Sequence, residues 1–346
     1  MRIRSRCAWR ASRSWIQRQS RGVRRLVVVL VVTGLLAAGA FAAWIPSAAE
    51  PGYRFELAWG EKGSEPGELD GPIGIALLGN EVFVSDTGNH RIQVFDREGR
   101  FLRSFGREGS APGQLARPMH IDARDGKLYV AEYLNDRIQV FSPDGESLSV
   151  IGSSGTAPGQ FDAPGGVAVD AKGRLYVADF YSQRIQIVSA DGEFLQQSGV
   201  TGDKGIAAGR FNYPTDVALL PNGNVVAADA YNDRVQVLDS NGSFVRKWGG
   251  PFALNIAGGF NGWFRTATGV AVDQDGNVFV ADFFNHRIQK FTADGQFLVA
   301  FGEPGAAPGQ LDRPSDAAVD DDGRVYVVDF GNDRIQVFSH RNEAPD

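Results

Sequence analysis

The sequence predicts an all-β chain folded as a six-bladed β-propeller, and three observations predict it. The tripeptide Arg-Ile/Val-Gln recurs at Arg91, Arg137, Arg184, Arg234, Arg287 and Arg334, at spacings of 46, 47, 50, 53 and 47 residues. Each copy carries four short β-type runs separated by Gly turns. Two precede the tripeptide (in the third copy, Gly166-Val167-Ala168-Val169 and then Leu175-Tyr176-Val177), one contains it, and one follows (in the first copy, Phe101-Leu102-Arg103-Ser104-Phe105). Four short strands rich in β-branched and aromatic residues make one propeller blade. Thirdly, outside residues 26–45 no window sustains an apolar period of 3.6 residues, which leaves little room for helices.

Taken from the N-terminus, residues 1–25 form a basic arm with nine arginines and no acid. Residues 26–45 hold no charge over 20 positions, enough for a helix of about 30 Å, one hydrocarbon core. With Arg24 and Arg25 directly before that run, the positive-inside rule predicts a cytoplasmic arm and a propeller outside the cytoplasm. Two readings stand: a single-pass membrane protein held by a signal anchor, or a secreted or periplasmic protein after cleavage near Ser47-Ala48-Ala49, where small residues fit a processing site. The one cysteine, Cys7, lies before the apolar run, so it is not read as a lipoprotein acceptor.

Residues 46–52 read as a linker, 53–340 as the propeller and 341–346 as a tail. The last repeat stops after Gln336-Val337-Phe338 without a fourth strand, whereas Phe55-Glu56-Leu57-Ala58-Trp59-Gly60 looks like a fourth strand with no blade of its own. Residues 54–59 are therefore expected to complete blade six, which removes two open sheet edges and ties the termini together.

Composition narrows the function. The whole chain is 43% hydrophobic and 22% charged, as a domain with a full core requires. Taking the nine arginines of the arm from a formal net charge of −6 leaves −15 for residues 26–346. So acidic a body repels phosphate backbones, and nucleic acid is not expected as a partner.

With strands lettered a to d from the axis outward, the a–b and c–d turns share one face. These turns are short and polar, as at Asp144-Gly145, Asp191-Gly192, Asn241-Gly242 and Asp294-Gly295, and suit tight hairpins. The acidic turn Asp273-Gln274-Asp275-Gly276 lacks the closing Glu of a calcium loop and also reads as a hairpin. The b–c and d–a loops share the other face, longer and more variable, where binding residues usually sit. In the b–c loops an Asp-x-x-Asn-x-Arg unit recurs, as Asp86-Asn89-Arg91 and Asp229-Asn232-Arg234, with Glu132 for Asp in blade two and Ser182 for Asn in blade three. A unit present in every blade reads as a hydrogen-bonded clamp rather than as an ion ring.

The repeated run Pro-Gly-Gln-Phe/Leu, Pro, Gly-Val-Ala-Val-Asp, Val-Tyr-Val-Ala-Asp, Asn-x-Arg-Ile-Gln-Val-Phe resembles the NHL-repeat family over about residues 53–338. The resemblance implies a propeller, but one fold hosts many functions. Some NHL-like propellers are amidating lyases whose zinc histidines follow the strand-entry proline. Here those positions read Ile73, Met119, Gly165, Thr215 and Ser315, and His120 lies one position later.

Three features differ between blades. Blades two to five are expected to set an arc of aromatics on the loop face, including Tyr133, Phe180, Tyr181, Tyr231, Phe283 and Phe284, serving either ligand contact or packing between blades. The d–a loop between blades four and five is lengthened by an apolar insertion over residues 249–265, with Trp263, Phe264 and Arg265 as candidate contacts; it either caps the ring or meets a ligand. Finally, the strand-entry position that is Gly74, Gly166 and Gly269 in odd blades becomes His120, Asp216 and Asp316 in even blades. Six-fold geometry puts those three about 120° apart near the channel mouth, where they either bind a divalent metal or bond to neighbouring loops. The leading function is a membrane-tethered binding module for a protein, peptide or glycan. The rival is a metal-dependent lyase or a lactonase-like hydrolase, whose channel calcium would rest on Asp216 and Asp316.

Overall fold

In the computed structural model, residues 45–341 are described. The basic arm, nearly all of the 26–45 run and the tail beyond Arg341 lie outside them. Among the described residues no helix is long and apolar enough to cross a membrane.

β1 (Tyr53–Trp59) precedes blade one, which is β2 (Ile75–Leu78), β3 (Glu81–Asp86), β4 (Arg91–Asp96) and β5 (Phe101–Phe105). Blade two is β6 (Pro118–Arg124), β7 (Lys127–Glu132), β8 (Arg137–Phe141) and β9 (Ser147–Ile151). Blade three is β10 (Pro164–Val169), β11 (Leu175–Asp179), β12 (Arg184–Val188) and β13 (Phe194–Gly199). Blade four is β14 (Pro214–Leu219), β15 (Val225–Asp229), β16 (Arg234–Leu238) and β17 (Phe244–Trp248). Blade five is β18 (Ala267–Val272), β19 (Val278–Asp282), β20 (Arg287–Phe291) and β21 (Phe297–Phe301), and blade six adds β22 (Asp316–Val319), β23 (Val325–Asp329) and β24 (Arg334–His340).

Each blade is a four-stranded antiparallel meander, and the sixth is completed by β1 in the order β22-β23-β24-β1. Tyr53 pairs with His340 and Trp59 with Ile335, with a bulge between Phe55 and Leu57. The closure expected from the unmatched strand is borne out. The segment before it, expected as a plain linker, is strapped to blade five: Ala49 N donates to Leu298 O at 2.7 Å, and Lys290 pairs with Glu50 at 2.9 Å.

The core lies between blades. Val82 and Val84 of β3 pack with Tyr326 and Val328 of blade six, while Phe83 packs with Ile121, Leu128 and Val130 of blade two. Alternate residues of a central strand thus face opposite neighbours. Both faces are dry, which is why these strands read as continuous apolar runs.

A polar staple repeats at all six junctions. The residue after the Asn position of the b–c loop (Ser182 in blade three) and the residue that opens the strand-entry turn of the next blade both take left-handed backbone, for instance His90 at φ 56° and Arg117 at φ 52°. The N–H of the second is donated to the side chain of the first: Arg117 to His90 Nδ1 (3.1 Å), Ala163 to Asp136 (2.7 Å), Tyr213 to Gln183 (2.6 Å), Thr266 to Asp233 (2.7 Å), Arg313 to His286 Nδ1 (3.2 Å) and Gly71 to Asp333 (2.8 Å). Each staple offsets a strain of roughly 1–2 kcal/mol in the non-glycine left-handed residues. His90 and His286 therefore belong to the frame.

Candidate functional site

The Asp-Asn-Arg unit is a clamp, as its recurrence implied. In blade four Arg234 Nε donates to Asp229 Oδ2 at 2.7 Å, Asn232 and Gln236 donate to the same oxygen at 2.9 and 3.0 Å, and Arg234 also reaches the carbonyls of Ala207 and Arg210. Both charges are fully buried. Burial pushes the Asp229 carboxyl up, and Arg234 is the main force holding it down. The clamp ties the b–c loop to the d–a loop of its own blade and leaves the remaining loop residues free to vary. The acidic turn of blade five is a hairpin: Asp273 accepts from Asn277 N at 2.8 Å.

His120, Asp216 and Asp316 converge. His120 Nδ1 lies 3.2 Å from Asp316 Oδ2 and 3.6 Å from Asp216 Oδ2, and one donor atom from each residue lies within 4.8 Å of the other two. The backbone explains this placement. β6 and β14 each carry a bulge at the strand entry, between Pro118 and Ile121 and between Pro214 and Asp216, and a bulge re-aims the side chain beside it. The alternating glycines supply the room. A Cβ on Gly74 would lie 2.6 Å from His120 Cα, one on Gly166 2.8 Å from Asp216 Cα, and one on Gly269 2.7 Å from Asp316 Cα.

The carboxylates are held from behind. Asp216 Oδ2 accepts Val270 N at 2.9 Å, Asp316 Oδ2 accepts Ile75 N at 3.1 Å, and Asp316 Oδ1 accepts Ala317 N at 2.8 Å. The same groups thus bond the next blade and face one another. His120 is only 3% exposed, and its Nδ1 makes no hydrogen bond of good geometry. Burial works against charge on His120, but the two carboxylates outweigh it and the pKa rises; burial raises that of Asp216.

All three side chains of the triad are buried. The adjoining cavity, about 290 Å³, starts at Asp216 and Asp316 and runs along the innermost strands past Asp122 and Arg124 toward the hairpin-turn face. Beside the triad the strand-entry backbones are cross-linked, Thr215 Oγ1 donating to Thr268 O (2.7 Å) and Ser315 Oγ to Ile73 O (2.8 Å).

The aromatics form two groups rather than one arc. Tyr133, Phe180, Tyr181 and Tyr231 are joined through Tyr213, which sequence reasoning missed. Phe180 and Tyr213 lie 4.8 Å apart, Tyr213 and Tyr231 4.9 Å, and the hydroxyls of Tyr133 and Tyr181 are bonded at 2.8 Å. Tyr181 is 47% and Tyr231 55% exposed. Two cations flank the group: Lys204 Nζ sits 4.0 Å above the Tyr213 ring and Arg117 5.6 Å from that of Tyr133. The second group is Phe283 with Phe284 (4.9 Å) and Phe330 (5.8 Å), and Arg265 lies 6.0 Å from the Phe284 ring.

Two candidates in the insertion are corrected. Trp263 and Phe264 are buried, because Phe264 occupies the core position that Leu69, Leu115, Phe161, Phe211 and Leu311 fill in the other blades. The exposed apolar residues there are Phe252, Leu254, Ile256 and Phe260.

Comparison with known proteins agrees with this architecture. The NHL repeat model matches residues 69–95, 161–188, 211–238, 264–291 and 311–338. The chain belongs to the NHL-repeat family, as a six-bladed propeller. It is 48% identical over 48 residues to B-box type zinc finger protein ncl-1 of Caenorhabditis elegans (14% of this chain, 6% of that protein), and 46% identical over 48 residues to Protein brain tumor of Drosophila melanogaster (14% and 5%). The chain thus covers only about one-twentieth of either relative. Among solved structures it is similar to a streptogramin B lyase (TM-score 0.57, 16% identity, 85% of this chain and 100% of that one). It is also similar to a Bacteroides thetaiotaomicron protein of unknown function (TM-score 0.64, 16% identity, 84% and 76%). A catalytically inactive virginiamycin B lyase from Staphylococcus aureus with quinupristin is a further neighbour (TM-score 0.56, 17% identity, 84% and 86%). At such identities the likeness is one of fold alone.

Proposed function

We propose that the protein is a binding module that engages a protein or peptide through the tyrosine surface of its loop face. One observation carries this reading: five aromatic rings from three blades form a continuous, half-exposed surface edged by Arg117 and Lys204. Inter-blade packing does not require exposed tyrosines. Tyrosine offers a rigid apolar body and a polar tip, the combination that dominates protein-binding surfaces. The two cations favour a partner segment bearing acidic groups. The basic arm and apolar run support placing this surface outside the cytoplasm, on a membrane tether.

Photo-crosslinking in cells tests it. A benzophenone side chain at Tyr181 or Tyr231 is expected to trap a discrete adduct that is absent when the probe replaces Lys172 on the opposite face. Equal adducts from both faces, or none from either tyrosine, would reject the surface. Protease added outside the inner membrane should digest the propeller; protection until lysis would reverse the topology.

A second reading, chemistry in the channel, is favoured by the convergence of His120, Asp216 and Asp316. The lyases among the structural neighbours show that such a ring accommodates catalysis, without assigning a reaction here.

A further inference from the structure

We propose that His120, Asp216 and Asp316 bind one divalent transition metal of the zinc class. This site is separate from the tyrosine surface and stands or falls independently of it.

The geometry is the first ground. The donor atoms of His120 lie 3.2 and 3.6 Å from those of the two carboxylates. Those two edges have the length found in a tetrahedron with bonds of about 2.0–2.2 Å to a central ion, the range for nitrogen and carboxylate ligands on zinc, and all three donors lie within 4.8 Å of one another. The second ground is the state of the imidazole. His120 is buried, and its Nδ1 faces both carboxylates without a hydrogen bond of good geometry to either. A buried polar atom left in that state is costly, and a metal ion would satisfy it.

The surroundings are those of a ligand set. The backbone N–H groups of Val270 and Ile75 orient the carboxylates from outside the cluster, the supporting contact that ligating carboxylates usually have. Because each ligand comes from a different blade, the ion would join blades two, four and six at the axis. Three protein ligands leave a fourth position open, and the cavity beside Asp216 and Asp316 supplies the space for a water or a small substrate. The donor set also selects the metal. Calcium takes six to eight oxygens and magnesium an octahedron of oxygens, whereas this cluster offers two carboxylates and one imidazole. That argues against the calcium of a lactonase-like site.

The test uses the full-length chain in detergent, with Cys7→Ser to remove its one thiol, stripped by a chelator and dialysed. Zinc titrated against a chromophoric competitor is expected to bind at one equivalent. His120→Ala should weaken it by at least about 10-fold and Asp216→Asn by a similar factor. Calcium and magnesium should not compete. Cobalt should give visible bands of a four- or five-coordinate ion in the otherwise unmodified protein, a readout that survives if His120→Ala fails to fold. The proposal is overturned if zinc does not bind up to about 1 mM, if cobalt stays octahedral, if calcium is preferred, or if a folded His120→Ala variant keeps the affinity. Those last results would leave the triad as an imidazolium held between two carboxylates.

Discussion

Replacing Tyr53 with Ala should open the ring at one seam. Tyr53 begins the closing strand and is 6% exposed. Its ring lies 4.4 Å from Phe301, 6.2 Å from Phe279 and 4.2 Å from the ring of His340, and its hydroxyl meets His340 Nε2 at 2.9 Å. Removing on the order of 150 Å² of buried ring at about 25 cal/mol per Å² costs some 3–4 kcal/mol, in line with the roughly 3–5 kcal/mol of large aromatics cut to Ala. Loss of the hydroxyl contact alone, in Tyr53→Phe, should cost about 1 kcal/mol. At roughly 2–4 °C per kcal/mol, the Ala variant should melt about 10 °C lower. The assay is a pair of thermal melts with hydrogen exchange. Exchange should rise first in β24 and in the outer strand of blade five, both touched by the closing segment. A melting shift below about 2 °C, or loss of protection spread evenly over six blades, would refute the account of closure.

Three further outcomes are expected. Arg234→Ala leaves Asp229 buried without its partner and should cost about 3–5 kcal/mol in urea unfolding, whereas Arg100→Ala, in an exposed pair with Asp96, should change stability by less than about 1 kcal/mol. Gly166→Ala drives a methyl into Asp216 and should cost about 1–3 kcal/mol, while Gly223→Ala, with nothing within 4 Å, adds only the strain of its left-handed backbone; similar melts for the two would contradict the crowded-axis account. Burial holds the pKa of His340 below its ordinary 6.5, so the fold favours the neutral ring: its contribution is intact above pH 6.5 and lost as pH falls below it. Melting temperature should drop across that window in the parent and less in His340→Gln; an identical pH slope would show that His340 is not responsible.

Blade count, strand order, the closing strand and the clamp were all legible in the sequence, because each rests on contacts inside one repeat or on the copy number of that repeat. The pattern Asp-x-x-Asn-x-Arg closes its own loop, and a hairpin needs only its two neighbouring strands. Relations between blades were legible only in part. The alternation of Gly with His120, Asp216 and Asp316 marked an axial set, but whether three side chains 120° apart touch depends on the channel radius, and that is decided by how closely Gly74, Gly166 and Gly269 let the innermost backbones approach. Tyr213 sits in a d–a loop with no aromatic counterpart in the repeat, and joins its group only because its left-handed turn is stapled to Gln183 of the preceding blade. Trp263 and Phe264 looked like part of an exposed insertion until register placed Phe264 in the core. The sequence alone thus determined the ring, since a repeat carries its own folding rules. Which side chains meet at the axis and on the loop face was decided by tertiary structure, since those distances are set by the closure of all six blades at once.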